Sequence, residues 1–108
     1  MSLKLTGRTL PDVASRLSVV CGDVSQPNFG LLAERFEQLA MNTHMVFHGA
    51  AEVNWIKSYT AIRRSNVLGT LHAIQFACHQ RAKPFYFVST LAVCYAEDGP
   101  EHVTESTN

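Results

Sequence analysis

The chain runs to 108 residues, 46% of them hydrophobic, with nine Lys and Arg balancing nine Asp and Glu. That length fits one domain, and the balanced charge offers no field to hold a nucleic acid or an anionic membrane. The longest apolar runs fall far short of a membrane span, and the opening M-S-L-K-L-T-G-R lacks the apolar stretch of a secretory signal. A cytoplasmic address is therefore expected. Cys21, Cys78 and Cys94 are odd in number and form no C-x-x-C pair, which argues against a disulfide framework and a zinc knuckle. They read as reduced thiols, with Cys21 and Cys78 buried.

Residues 11–17 read as a short helix or loop leading into a first strand at residues 18–21, which ends on Gly22-Asp23. In the D-V-S-Q-P-N-F-G-L that follows, Pro27 and Gly30 mark a turn. A covering helix is predicted over residues 31–41, where Leu32, Phe36, Leu39 and Ala40 fall on one stripe.

Residues 45–53, M-V-F-H-G-A-A-E-V, are the most informative segment, because an apolar strand meets three of the smallest side chains at its carboxyl end. In a parallel α/β sheet, ligands lie outside the carboxyl ends of the strands, and small residues let a cofactor approach the backbone. A strand followed by a tight turn explains the same letters without a ligand. His44 and His48 have the i, i+4 spacing of helical zinc ligands, but in a strand they stand about 13 Å apart. No metal site is assigned to them.

A longer helix is predicted over residues 59–80, with Leu68, Leu71, Ile74, Gln75 and Cys78 down one side. Gly69 in its middle predicts close packing against another backbone. Asn66 is a poor helix former and reads, on composition alone, as an exposed residue. Lys83-Pro84 opens a last strand over residues 84–88, followed by Ser89-Thr90, and residues 97–108 form a polar, aperiodic loop or frayed end. Strands alternating with helices indicate βαβ units with right-handed crossovers. The three strand ends, bearing Asp23, Gly49-Ala50-Ala51 and Thr90, are expected to converge on one rim.

Four stretches, G-D-V-S-Q-P-N-F-G-L, V-F-H-G-A-A-E-V-N-W, N-V-L-G-T and F-V-S-T-L-A-V, together resemble the extended short-chain dehydrogenase/reductases. Within these the chain is most similar to the thioester reductase domains of carboxylic acid reductases, nonribosomal peptide and polyketide synthases, and aminoadipate reductases. The resemblance covers roughly residues 15–96; each motif alone is weak, and the order and spacing of the four carry the weight. It implies a partial Rossmann-type, doubly wound parallel sheet with flanking helices.

The resemblance also implies roles. Asp23 matches a carboxylate that accepts a hydrogen bond from the adenine amino group, and Val24 the apolar neighbour packing on that ring. Gly49, Ala50, Ala51 and Val53 match the strand-end segment beside the cofactor's ribose and diphosphate, Asn66 a helix Asn supporting the active-site network, and Val88 a contact to the nicotinamide half. Thr90 matches the Ser or Thr that hydrogen-bonds the substrate carbonyl, with Ser89 the alternative if the register slips by one. Without the resemblance, Thr90 reads as a strand-end Thr capping a backbone group. The implied reaction is hydride transfer from NADPH, with NADH left open, to an acyl thioester on a phosphopantetheine carrier domain, giving an aldehyde or, after a second reduction, an alcohol.

The chain departs from that pattern in two ways. Tyr59, Tyr86 and Tyr95 are followed four residues later by Arg63, Thr90 and Gly99, so no Tyr-x-x-x-Lys is present, and there is no G-x-x-G-x-x-G turn. The family carries the first beyond the last strand here and the second before the first. The expectation is a central fragment of one reductase domain, inactive when isolated and binding NADPH weakly or not at all, with strands three and four either paired directly or left with open edges. Two other readings stay open: a non-catalytic nucleotide-binding or interaction module, and a different extended reductase such as a fatty acyl-coenzyme A reductase or a sugar-nucleotide epimerase.

Overall fold

The computed structural model describes residues 4–5, 8–9, 14–94 and 102–104. Short strands β1 (Lys4–Leu5) and β2 (Arg8–Thr9) pair antiparallel with each other. Helix α1 spans Ala33–Asn42. Strand β3 (Val46–His48) pairs in parallel with β4 (Phe85–Phe87), Val46 opposite Phe85, Phe47 opposite Tyr86 and His48 opposite Phe87. Between them runs one helical segment in three parts: α2 (Tyr59–Arg63), a π-helical turn (Arg64–Leu68) and α3 (Gly69–Cys78). The β3–helix–β4 unit is the predicted βαβ crossover, and the architecture is a partial Rossmann-type α/β fold.

The core sits on one face of this small sheet. Phe36 and Ala40 of α1 meet Phe76 of α3, with Phe29, Leu31, Leu39 and Val46 packed around them. The rings of Phe29, Phe36 and Phe76 lie 5.3 to 6.0 Å apart between centroids, tilted or edge-on, as aromatic clusters prefer. Phe29 reaches the cluster from an unusual backbone: Asn28, Phe29 and Gly30 all have left-handed φ values of 52°, 58° and 68°. The Asp23 N–H donates to the Phe29 carbonyl at 2.9 Å and closes this loop. Gly22 lets the two segments approach closely beside it, since a Cβ there would crowd the Phe29 carbonyl oxygen at 3.0 Å.

The carboxyl end of α3 is tied down by charge and hydrogen bonds. The Lys83 ammonium, itself buried, donates to the carbonyls of Phe76, His79 and Arg81 at 3.2, 2.6 and 3.2 Å. A cation at a helix C-terminus satisfies both the orphan carbonyls and the dipole. His79 and Gln80 both bond the Glu37 carboxylate, and Arg81 donates to the Thr43 carbonyl at 3.0 Å, linking the ends of α1 and α3.

Several expectations are corrected. Residues 18–21 form no strand, because no partner strand lies beside them among the described residues and an unpaired segment has no ladder. Of the two outcomes expected for strands three and four, direct pairing does not occur, and the edge of β3–β4 is open among the described residues. Cys21 and Cys78 are exposed rather than buried. Leu32 precedes α1 and is exposed, while Phe36, Leu39 and Ala40 face the core as expected. On α3 the buried side is Gly69, Ala73, Phe76 and Ala77. Leu71, Ile74, Gln75 and Cys78, on the predicted side, are exposed. The small residues win the core face because they let α3 approach its neighbours closely; Gly69 packs on Val24, where a Cβ would stand 3.1 Å from a Val24 methyl. Of the predicted polar tail only residues 102–104 are described, and they hold neither helix nor strand.

This assignment of the core face is directly testable. Phe76→Ala should lower the unfolding free energy by about 3 kcal/mol, and Leu71→Ala by less than about 1 kcal/mol, in urea titrations. Equal losses would mean that the two faces of α3 are buried alike.

Candidate functional site

The site is built where the carboxyl ends of β3 and β4 meet the π turn. A strand of three residues delivers His48 to the helix side, buried at 4% exposure between the rings of Phe85 and Phe87, with centroids 6.0 and 5.8 Å away. After it come Gly49, Ala50 and Ala51, then Glu52. The Asn66 carboxamide takes hold of Glu52 at both backbone groups: its Oδ1 accepts the Glu52 N–H at 2.7 Å and its Nδ2 donates to the Glu52 carbonyl at 3.0 Å. This is the task that places an Asn inside a helix, and it sits in the π turn, a distortion that often marks functional positions.

One turn further along, the Thr70 hydroxyl donates to the Asn66 carbonyl at 2.7 Å and lies 3.0 Å from His48 Nε2. The loop beyond Glu52 is ordered locally. The Asn54 Oδ1 accepts the N–H groups of Ile56 and Lys57, both at 3.0 Å, Lys57 pairs with the Glu52 carboxylate, and the Ser58 hydroxyl caps α2 by accepting the Ala61 N–H.

A cleft of about 750 Å³ opens beside these groups. Its lining includes Gly49, Ala50, Ala51 and Val53 after β3, Asn66 and Thr70 of the helix, and Val88, Ser89 and Thr90 after β4. The structure thus brings together seven of the nine predicted site residues: Gly49, Ala50, Ala51, Val53, Asn66, Val88 and Thr90. Val24 lines a second, smaller cavity of about 320 Å³ that shares Gly49 and Ala50 as its wall, and Asp23 lines neither. The Val24 carbonyl accepts from His72 Nδ1 at 2.9 Å, so α3 holds the segment after residue 22 as well.

Asp23 is exposed, and its Oδ1 accepts the Ser25 N–H at 2.9 Å; hydrogen bonding from the Ser25 side chain, and then from this N–H, keeps its carboxyl below the usual carboxylate range. Thr90 Oγ1 accepts the Ala92 N–H at 3.2 Å, which caps the short turn Leu91–Cys94. A hydroxyl that accepts one bond still has a proton to give, so capping and carbonyl binding are compatible in Thr90.

Three participants escape sequence reasoning. His48 invites attention there only as a metal ligand, Thr70 is one more helix Thr, and Glu52 acts through its backbone, which no side-chain pattern reveals. The usable signal is the N-x-x-x-T spacing, which puts Asn66 and Thr70 one turn apart on one helix face, next to a polar His in an apolar strand.

The burial of His48 sets a pH dependence. Desolvation holds its pKa below the ordinary imidazole value of 6.5. The unfolded chain then takes up a proton that the folded chain refuses, so stability is full above about pH 6.5 and falls below it. Asp23, bonded by Ser25, and Glu37, bonded by Gln80 and His79, are shifted down as carboxylates, and their contribution is lost only below their ordinary values of 3.8 and 4.5. Thermal midpoints should therefore drop between pH 7 and pH 5, and His48→Phe should flatten that interval. An unchanged slope in the variant would place the titration elsewhere.

Comparison with known proteins gives this arrangement its lineage. Residues 2–108 match the model of an NAD-binding family described as male sterility protein. The chain is 39% identical over 90 residues to a linear gramicidin synthase of Brevibacillus parabrevis, covering 83% of this chain and 2% of that protein. It is 36% identical over 92 residues to the large subunit of L-2-aminoadipate reductase from Penicillium chrysogenum, covering 85% of this chain and 6% of that one. The crystal structure of the terminal R domain from the myxalamid PKS-NRPS biosynthetic pathway superposes with a TM-score of 0.72 at 37% identity, over 75% of this chain and 21% of that domain. The chain therefore spans a small part of each relative's length. It belongs to the male sterility protein family of NAD-binding reductase domains, to which its partial Rossmann-type fold conforms.

Proposed function

We propose that the chain supplies the middle of an NADPH-dependent thioester reductase, the part that seats the cofactor and binds the substrate carbonyl. The observation that carries the reading is the cleft itself, lined by small residues 49–51 and by Thr90 at the carboxyl ends of two parallel strands. The side chains of Gly49, Ala50 and Ala51 are small enough to let a dinucleotide lie against the backbone. Val53 and Val88 add apolar walls for it, and Asp23 and Val24 stand on the neighbouring segment as the adenine contacts.

A nicotinamide dinucleotide bound here supplies the hydride. The chain's own contribution is orientation and charge. The Thr90 hydroxyl donates its proton in a hydrogen bond to the thioester carbonyl oxygen and stabilises the negative charge that develops there. Asn66 holds the wall at residues 49–52 so that donor and carbonyl meet in one geometry. The substrate is an acyl group on a phosphopantetheine carrier domain; hydride addition followed by cleavage of the carbon–sulfur bond frees the pantetheine thiol and releases an aldehyde or, after a second reduction, an alcohol. The Tyr and Lys that complete such a site in the family are not among these residues, so turnover requires a complete domain.

A second reading, a non-catalytic nucleotide-binding module, draws on the cap that Thr90 makes with Ala92. The two separate on one variant. In a complete reductase domain containing this segment, Thr90→Val should cut kcat for an acyl-pantetheine thioester by about 100-fold, with the dissociation constant for NADPH changed less than about threefold. Full turnover by the variant would remove Thr90 from the chemistry, and absence of turnover by the unaltered complete domain would favour the module.

A further inference from the structure

The wall formed by residues 49–51 is anchored at both of its ends, and both anchors stand on the same helix. At its start, His48 meets Thr70; at its finish, Glu52 meets Asn66, and residues 66 and 70 are one helical turn apart. The two anchors are also joined to each other, since the Thr70 hydroxyl donates to the Asn66 carbonyl at 2.7 Å. Three small residues are thus stretched as a bridge between fixed posts.

Proton bookkeeping orders the chain of bonds. A carbonyl can only accept, so the single Thr70 hydroxyl proton goes to Asn66. Towards His48, 3.0 Å away, Thr70 Oγ1 can then only accept, and His48 Nε2 must carry the ring proton. The ring is held in place for this by its burial and by the flanking faces of Phe85 and Phe87.

We infer that His48 is a positioning residue for the cofactor wall, acting through Thr70 and Asn66 as an Nε2–H donor that fixes residues 49–52 against the helix. The inference rests on the cofactor reading of the cleft for its functional meaning, and on the bonding pattern alone for its structural content. His48 touches neither cofactor nor substrate in this role. It explains why a polar, hydrogen-bonding side chain occupies a buried strand position that an aliphatic residue would fill more cheaply.

The test is nuclear magnetic resonance on the 15N-labelled 108-residue chain. Long-range proton–nitrogen correlations of the His48 ring should show a protonated Nε2 and an unprotonated Nδ1 near pH 7. Thr70→Ser, which keeps the hydroxyl, should preserve that pattern and the amide positions of residues 49–52. Thr70→Val, which keeps the shape but loses the hydroxyl, should release His48 into mixed tautomers and displace those amides. In a complete reductase domain containing this segment, the dissociation constant for NADPH should be about two- to tenfold weaker for Thr70→Val than for Thr70→Ser or the unaltered domain, the size of one hydrogen bond.

A proton on Nδ1 in the unaltered chain would overturn the inference, and that measurement needs no variant to fold. Amides 49–52 left in place by a folded Thr70→Val would overturn it equally. If the tautomer and the amide shifts come out as expected while NADPH fails to bind the complete domain, the positioning network stands and the cofactor reading fails.

Discussion

The Asn66 carboxamide bound to both backbone groups of Glu52 is the contact on which the strand-end geometry depends. A carboxamide offers one acceptor and donors in a plane, which matches the N–H and C=O of a single extended residue. To reach it, Asn66 must sit at a set height on the helix, and the π turn at Arg64–Leu68 provides that height. The same helix then continues with Gly69 against Val24, Thr70 under His48 and His72 on the Val24 carbonyl. Two loops well separated in sequence are therefore held by one short stretch of helix, and their relative position is a property of that stretch.

Rigidity at this place contrasts with the economy of the core. Among the described residues only Phe36, Ala40, Ala73, Phe76 and Ala77 form a buried hydrophobic centre, and no large side chain is wholly buried. The far face of the sheet shows Phe47 stacked on Tyr86 at 4.7 Å, both exposed, and Leu71 and Ile74 lie open on α3. Parallel sheets are normally covered on both faces. The polar fixtures at Lys83, His79 and Arg81 stabilise the ends of α1 and α3 where apolar burial is thin.

The two parallel strands and both helices were legible in the sequence, since β-branched and aromatic runs bounded by Gly, Pro and small residues reflect local preferences. The cleft was legible for a related reason: strand ends carrying Gly49-Ala50-Ala51 and Ser89-Thr90 must share a side once the two strands are parallel. Residues 18–21 failed because a strand exists only with a neighbour, and pairing is a property of what lies beside it. The face of α3 was misread because periodicity weighs side-chain size, whereas close helix packing selects Gly69, Ala73 and Ala77 for their smallness. Asn66 showed the opposite: a residue that violates helix propensity holds the site together.

The most direct measurement is amide hydrogen exchange on the chain carrying Asn66→Ala. If the carboxamide is what fixes the strand-end wall, the Glu52 N–H loses its acceptor and exchanges roughly tenfold faster, while the Val88 N–H, bonded to the His48 carbonyl in the ladder, keeps its protection. If Glu52 exchanges at the same rate with and without Asn66, the wall is held by something other than the π-turn Asn, and the account of the site fails at its centre.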